Sequence, residues 1–275
     1  MRRRWPGRFA PVEFGAAFRA AFGVTLAVAV AATPASGAAS PGQAPGHATE
    51  QAAEHPACGV PPEVVEGAPS LPNLAAALHH KKPVRILVIG GASTKGMAAG
   101  APENAYPSRL QVALQKRFPD VPITVVNQGM PRQTARQMVR RFPAEVSEDE
   151  PALIIWEVGI SDAVRGVDPD EFASALHAGI DLTKNRAIDL MLVDMQFSRK
   201  ATTVIDFDRY LDTIRRVGEM SGVYVFPRFA VMRNWSDEKV FDYDDVPESE
   251  RARLAAQVYD CLGRALANVI AKAVR

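Results

Sequence analysis

The sequence has two cysteines, five histidines and almost no net charge (+1 with histidine neutral) in 275 residues. Each shortage excludes something. Near-neutrality without a basic stripe removes the electrostatic footprint of a nucleic-acid binder. Two cysteines allow a single intramolecular bridge. Five histidines leave few candidates for a general base: His47 and His55 lie in a Pro/Ala-rich stretch, His79 and His80 precede the first strand, and His177 sits mid-helix. No internal repeat is visible. The apolar stretch from Ala20 to Ala32 falls short of the ~20 residues a membrane-spanning helix needs.

That stretch follows an arginine-rich start and precedes small residues around Ala35–Ala39, the order of a secretory signal. Residues 1–39 are therefore expected to be a signal peptide, and the protein to be periplasmic or secreted with no permanent span after signal removal; the alternative is an uncleaved tether. Losing five arginines and one glutamate with it takes the net charge to about −3, which favours solubility and names no partner. Residues 40–75, rich in Ala, Pro, Gly and Glu at first, read as a partly flexible linker, and 76–275 as the folded domain. Cys58 lies in the linker and Cys261 near the C-terminus. In an oxidising compartment these two are expected to pair; the alternative is a buried Cys261 with Cys58 free.

What the chain does contain is a run of β–α units. Short apolar segments at 84–90, 123–129, 152–159, 189–197 and 223–232 read as strands. Segments at 108–118, 132–142, 169–182, 207–220 and 251–274 carry helical periodicity. Near-continuous apolar strands alternating with helices imply a parallel sheet covered on both faces. Right-handed crossovers then give a three-layer α/β/α sandwich, flavodoxin-like, on five parallel strands. Ligands in such folds bind beyond the carboxyl ends of the strands.

The loop after the first strand, "GGASTKG", is not a P-loop, because Lys95 precedes Gly96 and the Gly-Lys-Ser/Thr order fails. It faintly resembles the turn of short-chain dehydrogenases, but no tyrosine is followed by the Tyr-x-x-x-Lys lysine, and strand two lacks a terminal acid to hold a ribose. No cofactor and no metal are expected.

The blocks "AYPSRLQVAL", "VVNQG", "LIIWEVG", "MLVDMQF", "RFAVMRNW" and "YDCLGRALANVI" together resemble SGNH, or GDSL, hydrolases of a secreted bacterial subgroup. The resemblance runs from Pro83 to the C-terminus and implies ester hydrolysis by a serine, a histidine and an acid, with oxyanion donors from three loops. In the first loop the nucleophile slot falls on Ala92, and Ser93 stands one residue late. Gly129 fills the second-loop donor slot, and Ser161 stands where the third-loop asparagine belongs. The Asp-x-x-His slots fall on Glu250 and Arg253, and an arginine does not act as a base near neutral pH.

The resemblance thus implies a protein whose catalytic set is degenerate. It would bind an acylated glycan, a lipid or a protein partner at the former ester-hydrolase cleft. The alternative is an active carbohydrate esterase, lipase-like hydrolase or acyltransferase working through Ser93 with an unorthodox base such as Asp162. Thr94, Asn127, Arg132, Asp162, Asp194 and Gln196 are the expected substrate-binding groups. Each also has a structural reading as a loop-capping or ion-pairing residue.

Overall fold

A computed structural model describes residues 58–243 and 246–275. The expected signal peptide and the linker up to residue 57 lie outside the described residues.

Helix α1 (Pro72–His79) leads into strand β1 (Val84–Gly90), the one-turn helix α2 (Ala92–Lys95) and helix α3 (Tyr106–Arg117). Strand β2 (Ile123–Gly129) is followed by α4 (Ala135–Val139) and α5 (Phe142–Asp149), and β3 (Leu153–Glu157) by α6 (Ile160–Arg165) and α7 (Pro169–Lys184). Strand β4 (Asp189–Val193) precedes α8 (Arg199–Thr202) and α9 (Asp208–Ser221). Strand β5 (Tyr224–Phe226), α10 (Arg228–Asp237) and the long α11 (Glu248–Ala273) complete the chain.

The five strands form one parallel sheet in the order β2-β1-β3-β4-β5. Alternate residues of β1 explain the layering. Ile86 and Val88 join Leu110, Trp235, Leu262 and Leu266 on one face, while Leu87 and Ile89 join Met138, Phe142, Trp156 and Leu176 on the other. Side chains of period two thus feed two cores, and the fold is the expected three-layer α/β/α sandwich. The chain leaves β1 for β2 on one side and returns to β3 on the other. The switch between β1 and β3 opens a crevice at their carboxyl ends.

Several element boundaries differ from the periodic reading, three of them for clear local reasons. The expected helix 132–142 is broken in two. Pro143 lacks the N–H a continuing helix would need, so it stands in the first turn of a new one, α5. The expected fifth strand, 223–232, stops at Phe226. Pro227 cannot donate to the ladder, and α10 begins at Arg228 with the N–H of Phe229 held by the Asp194 carboxylate at 2.7 Å. The expected linker–domain boundary at 75/76 falls inside α1. Leu71 and Leu74 are buried, and Asp189 accepts from the N–H groups of Asn73 and Leu74.

Cys58 and Cys261 form a disulfide that ties the first described residues to α11. Gly59 reinforces the tie, its carbonyl accepting from Trp235 Nε1. Among the described residues no helix is long and apolar enough to cross a membrane.

Candidate active site

Beyond β1 the chain turns at Gly90 and Gly91 into α2. A Cβ on Gly90 would stand 2.1 Å from Thr94 Oγ1 and 2.8 Å from Glu157 Cβ, so only glycine lets α2 fold back onto the end of β3. Gly129, paired with Gly90 in the sheet, is equally constrained: a Cβ there would stand 2.3 Å from the backbone nitrogen of Lys95. Two strand-end glycines bring α2 down between β1 and β2. Asn127 clamps it there, donating from Nδ2 to the Thr94 carbonyl at 2.7 Å.

This close packing decides where the side chains of α2 point. Ala92 is exposed and faces a cleft of about 450 Å³. Ser93 is 7% exposed and turns inward, although it too lines the cleft. Its Oγ donates to Glu157 Oε1 at 2.5 Å and accepts from Arg228 Nη1 at 3.0 Å. Thr94 is fully buried and donates to Glu157 Oε2 at 2.8 Å. Since that bond uses the threonine proton, the Tyr106 hydroxyl is the donor in their 3.0 Å contact.

At the centre Arg228 Nη1 stands 3.0 Å from Glu157 Oε2, with both side chains almost wholly buried. Arg228 Nη2 reaches Gln196 Oε1 at 3.4 Å, and its guanidinium lies 5.9 Å from the centre of the Tyr106 ring. Burial works most strongly against the charged guanidinium, but the Glu157 carboxylate, together with Tyr259, Tyr106 and Asp194, outweighs it and raises Arg228 above its ordinary value. Burial, followed by the field of Glu157, holds the Tyr106 phenol well above its ordinary range.

The other expected site residues divide into two groups. Ser161, Arg132 and Gln196 line the cleft with Ala92 and Ser93. Thr94, Asn127, Gly129, Asp162 and Asp194 are not among its lining residues, and each has a partner within the protein. The Gly129 N–H, expected as an oxyanion donor, is already bonded to Asn127 Oδ1 at 2.9 Å. Asp162, expected as a substrate contact or an unorthodox base, is buried beneath α4 and accepts from the Ala135 N–H at 3.1 and 3.2 Å. Its partner is a backbone amide, while the serine's carboxylate is Glu157. Burial pushes Asp162 up to about 6.

Glu250 and Arg253 lie in the first turns of α11, exposed, and bond to each other at 2.8 Å. The positions expected to match Asp-x-x-His thus lie on helix. His79 and His80 sit at the opposite end of the sheet from the cleft, and His177 is exposed on α7. Among the described residues no histidine reaches Ser93.

Asp194 is 8% exposed, and burial pushes it up to about 7. An unfolded aspartate titrates near ~3.9, so between about pH 4 and 7 the folded chain keeps a proton that the unfolded chain has released. Its contribution is therefore full below about pH 4 and is lost as pH rises through the folded value, at about 1.4 kcal/mol per unit. Asp194→Asn should remove that slope while keeping an oxygen for the Phe229 N–H. Urea midpoints from pH 4 to 7.5 check this: parallel wild-type and variant curves would refute it.

Two central residues are not among the expected site residues. Glu157 was signalled as the one acid in the apolar run "LIIWEV", and Arg228 stands just after the last strand. A charge in a fully buried strand demands a partner, but sequence does not say which.

The parallel sheet with a serine-bearing turn at its β1/β3 switch point defines a protein of the SGNH-hydrolase fold. Residues 57–275 match the profile of the Non-GDSL lipase-like family, and the chain belongs to that family. It is similar to an arylesterase of Vibrio mimicus, 26% identical over 145 residues, covering 53% of this chain and 70% of the relative. It shares its fold with a putative lipolytic protein of the G-D-S-L family from Desulfitobacterium hafniense (TM-score 0.53, 22% identity, covering 68% of this chain and 99% of the other). The fold is shared too with an acetylxylan esterase from Geobacillus stearothermophilus (TM-score 0.55, 20% identity, covering 69% and 96%).

Proposed function

We propose that this protein binds a ligand at the former ester-hydrolase cleft without turning it over. The observation that carries the reading is the state of Ser93. Its proton is directed to Glu157 inside the protein, and Arg228 occupies an acceptor lone pair. Ala92, which faces the cleft at the nucleophile slot, has no reagent. A serine attacks an ester when a base withdraws its proton along the reaction path, and no such base lies on the cleft side. The ligand is an acylated glycan, a lipid or a protein partner; the similarity to an acetylxylan esterase supports the first. The signal-like N-terminus supports export to the periplasm or beyond, and the Cys58–Cys261 bridge is consistent with it.

The 2.5 Å Ser93–Glu157 contact favours a second reading, in which Glu157 takes the serine proton and an ester is cleaved through Ser93. Labelling with a serine-reactive phosphonate, beside turnover of short acyl esters, separates the two. The binding reading expects no stoichiometric label and equal background turnover in wild type and Ser93→Ala. Labelling of the wild type that disappears in Ser93→Ala would sink it. Ala92→Ser/Arg253→His is expected to stay inactive, because residue 253 lies on exposed helix paired with Glu250.

A further inference from the structure

The wall of this cleft is electrostatically one-sided. Among the described residues its charged lining is Arg132 and Arg165, with no acid. The third nearby arginine, Arg228, has its charge balanced by Glu157. Arg165 is held in position by a 2.6 Å bond from its Nη2 to the Arg132 carbonyl; the buried Asp162 acts on it from beneath, but no acid forms an ion pair with it among the described residues. The Arg132 side chain has no hydrogen-bond or ion-pair partner among them. Arg132 also takes φ +64°, a left-handed conformation that glycine or asparagine fills more cheaply.

Around the two guanidiniums the lining is apolar. Met97 and Val164 are 66% and 61% exposed, and Ile160 stands beside them. Gln196 and Ser161 supply neutral polar groups. Guanidinium groups present planar, paired donors that match a carboxylate's two oxygens. We propose that the cleft binds a carboxylate borne on a body with an apolar face, Arg132 and Arg165 holding the carboxylate and Met97 and Val164 covering the apolar face. This rests on the binding reading above and names the chemistry of its ligand. Such a carboxylate comes either from a uronic-acid glycan, whose ring has an apolar C–H face, or from a fatty acid.

Isothermal titration of the mature protein distinguishes the sources in two arms: tri-galacturonate against neutral galactotriose, and octanoate against octanol. One carboxylate should bind at least about tenfold more tightly than its neutral counterpart, and raising salt from ~50 to ~500 mM should weaken it. Arg132→Gln and Arg165→Gln should each lower that affinity about tenfold or more, the loss expected for a charge-assisted hydrogen bond. Arg165→Gln gives up a loop contact; Arg132→Gln does not, and the salt series needs no variant. Failure of both carboxylates to bind, equal affinity for the neutral partners, or unchanged affinity in both variants overturns the proposal. Ser93-dependent phosphonate labelling would overturn the non-hydrolytic reading while leaving a carboxylate preference standing, so the two failures are separable.

Discussion

Arg228→Met should lower the unfolding free energy by about 3–5 kcal/mol, the loss typical of breaking a buried ion pair from one side. Arg228 and Glu157 have side chains only 1% and 3% exposed, so water cannot replace the missing partner. Ser93 and Thr94 would still donate to the carboxylate, but two hydroxyl dipoles do not balance a full charge away from solvent. The cost arises from the charge left behind rather than from the pair's net worth. The double variant Arg228→Met/Glu157→Gln removes both charges and keeps an oxygen for a hydroxyl, so it should recover at least half the loss. Urea unfolding at pH 7 reads both variants. A single-variant loss below about 1 kcal/mol, or a double variant no more stable than the single, would refute this account.

Loss of the Cys58–Cys261 bridge should have the next largest effect. The cysteines are separated by 203 residues, and the chain-entropy relation gives about 5 kcal/mol for a loop that long, an upper figure within the observed range of about 2–5. Residual structure in the unfolded chain reduces it. The bridge also anchors Cys58 and Gly59 beside Trp235, so its removal frees the segment leading to α1. Cys261 is fully buried, and alanine leaves only a small gap there, which makes Cys58→Ala/Cys261→Ala the suitable variant. Its urea midpoint should match that of reduced wild type and lie well below that of oxidised wild type. Equal midpoints for all three would exclude a stabilising bridge, and two free thiols in denatured, unreduced protein would exclude the bridge itself.

The layered fold was legible because it rests on local signals. Apolar runs closed by glycine mark strands whose ends meet a loop, and residues at three- and four-residue spacing mark helices between them. The errors occurred where proline redirected a plausible pattern, at Pro143 and Pro227. The turn after β1 was legible too, since its glycines and threonine stand close together along one short segment.

The roles of the polar residues were not legible. Thr94, Asn127, Asp162 and Asp194 all stand at loop positions suited to a ligand, yet each spends its hydrogen bonds on the protein. Composition cannot separate a polar group aimed at a cleft from one aimed beneath it; a rotation of one residue around α2 decides it. The sequence by itself thus determined the sandwich and the five strands. Only the tertiary structure decided that Glu157, at the end of β3, and Arg228, at the start of α10, meet under Ser93, and that Arg132 and Arg165 line the cleft together. The reason is physical: period and turn chemistry are written in neighbouring residues, whereas a buried charge finds its partner only once sheet register and packing bring the two together.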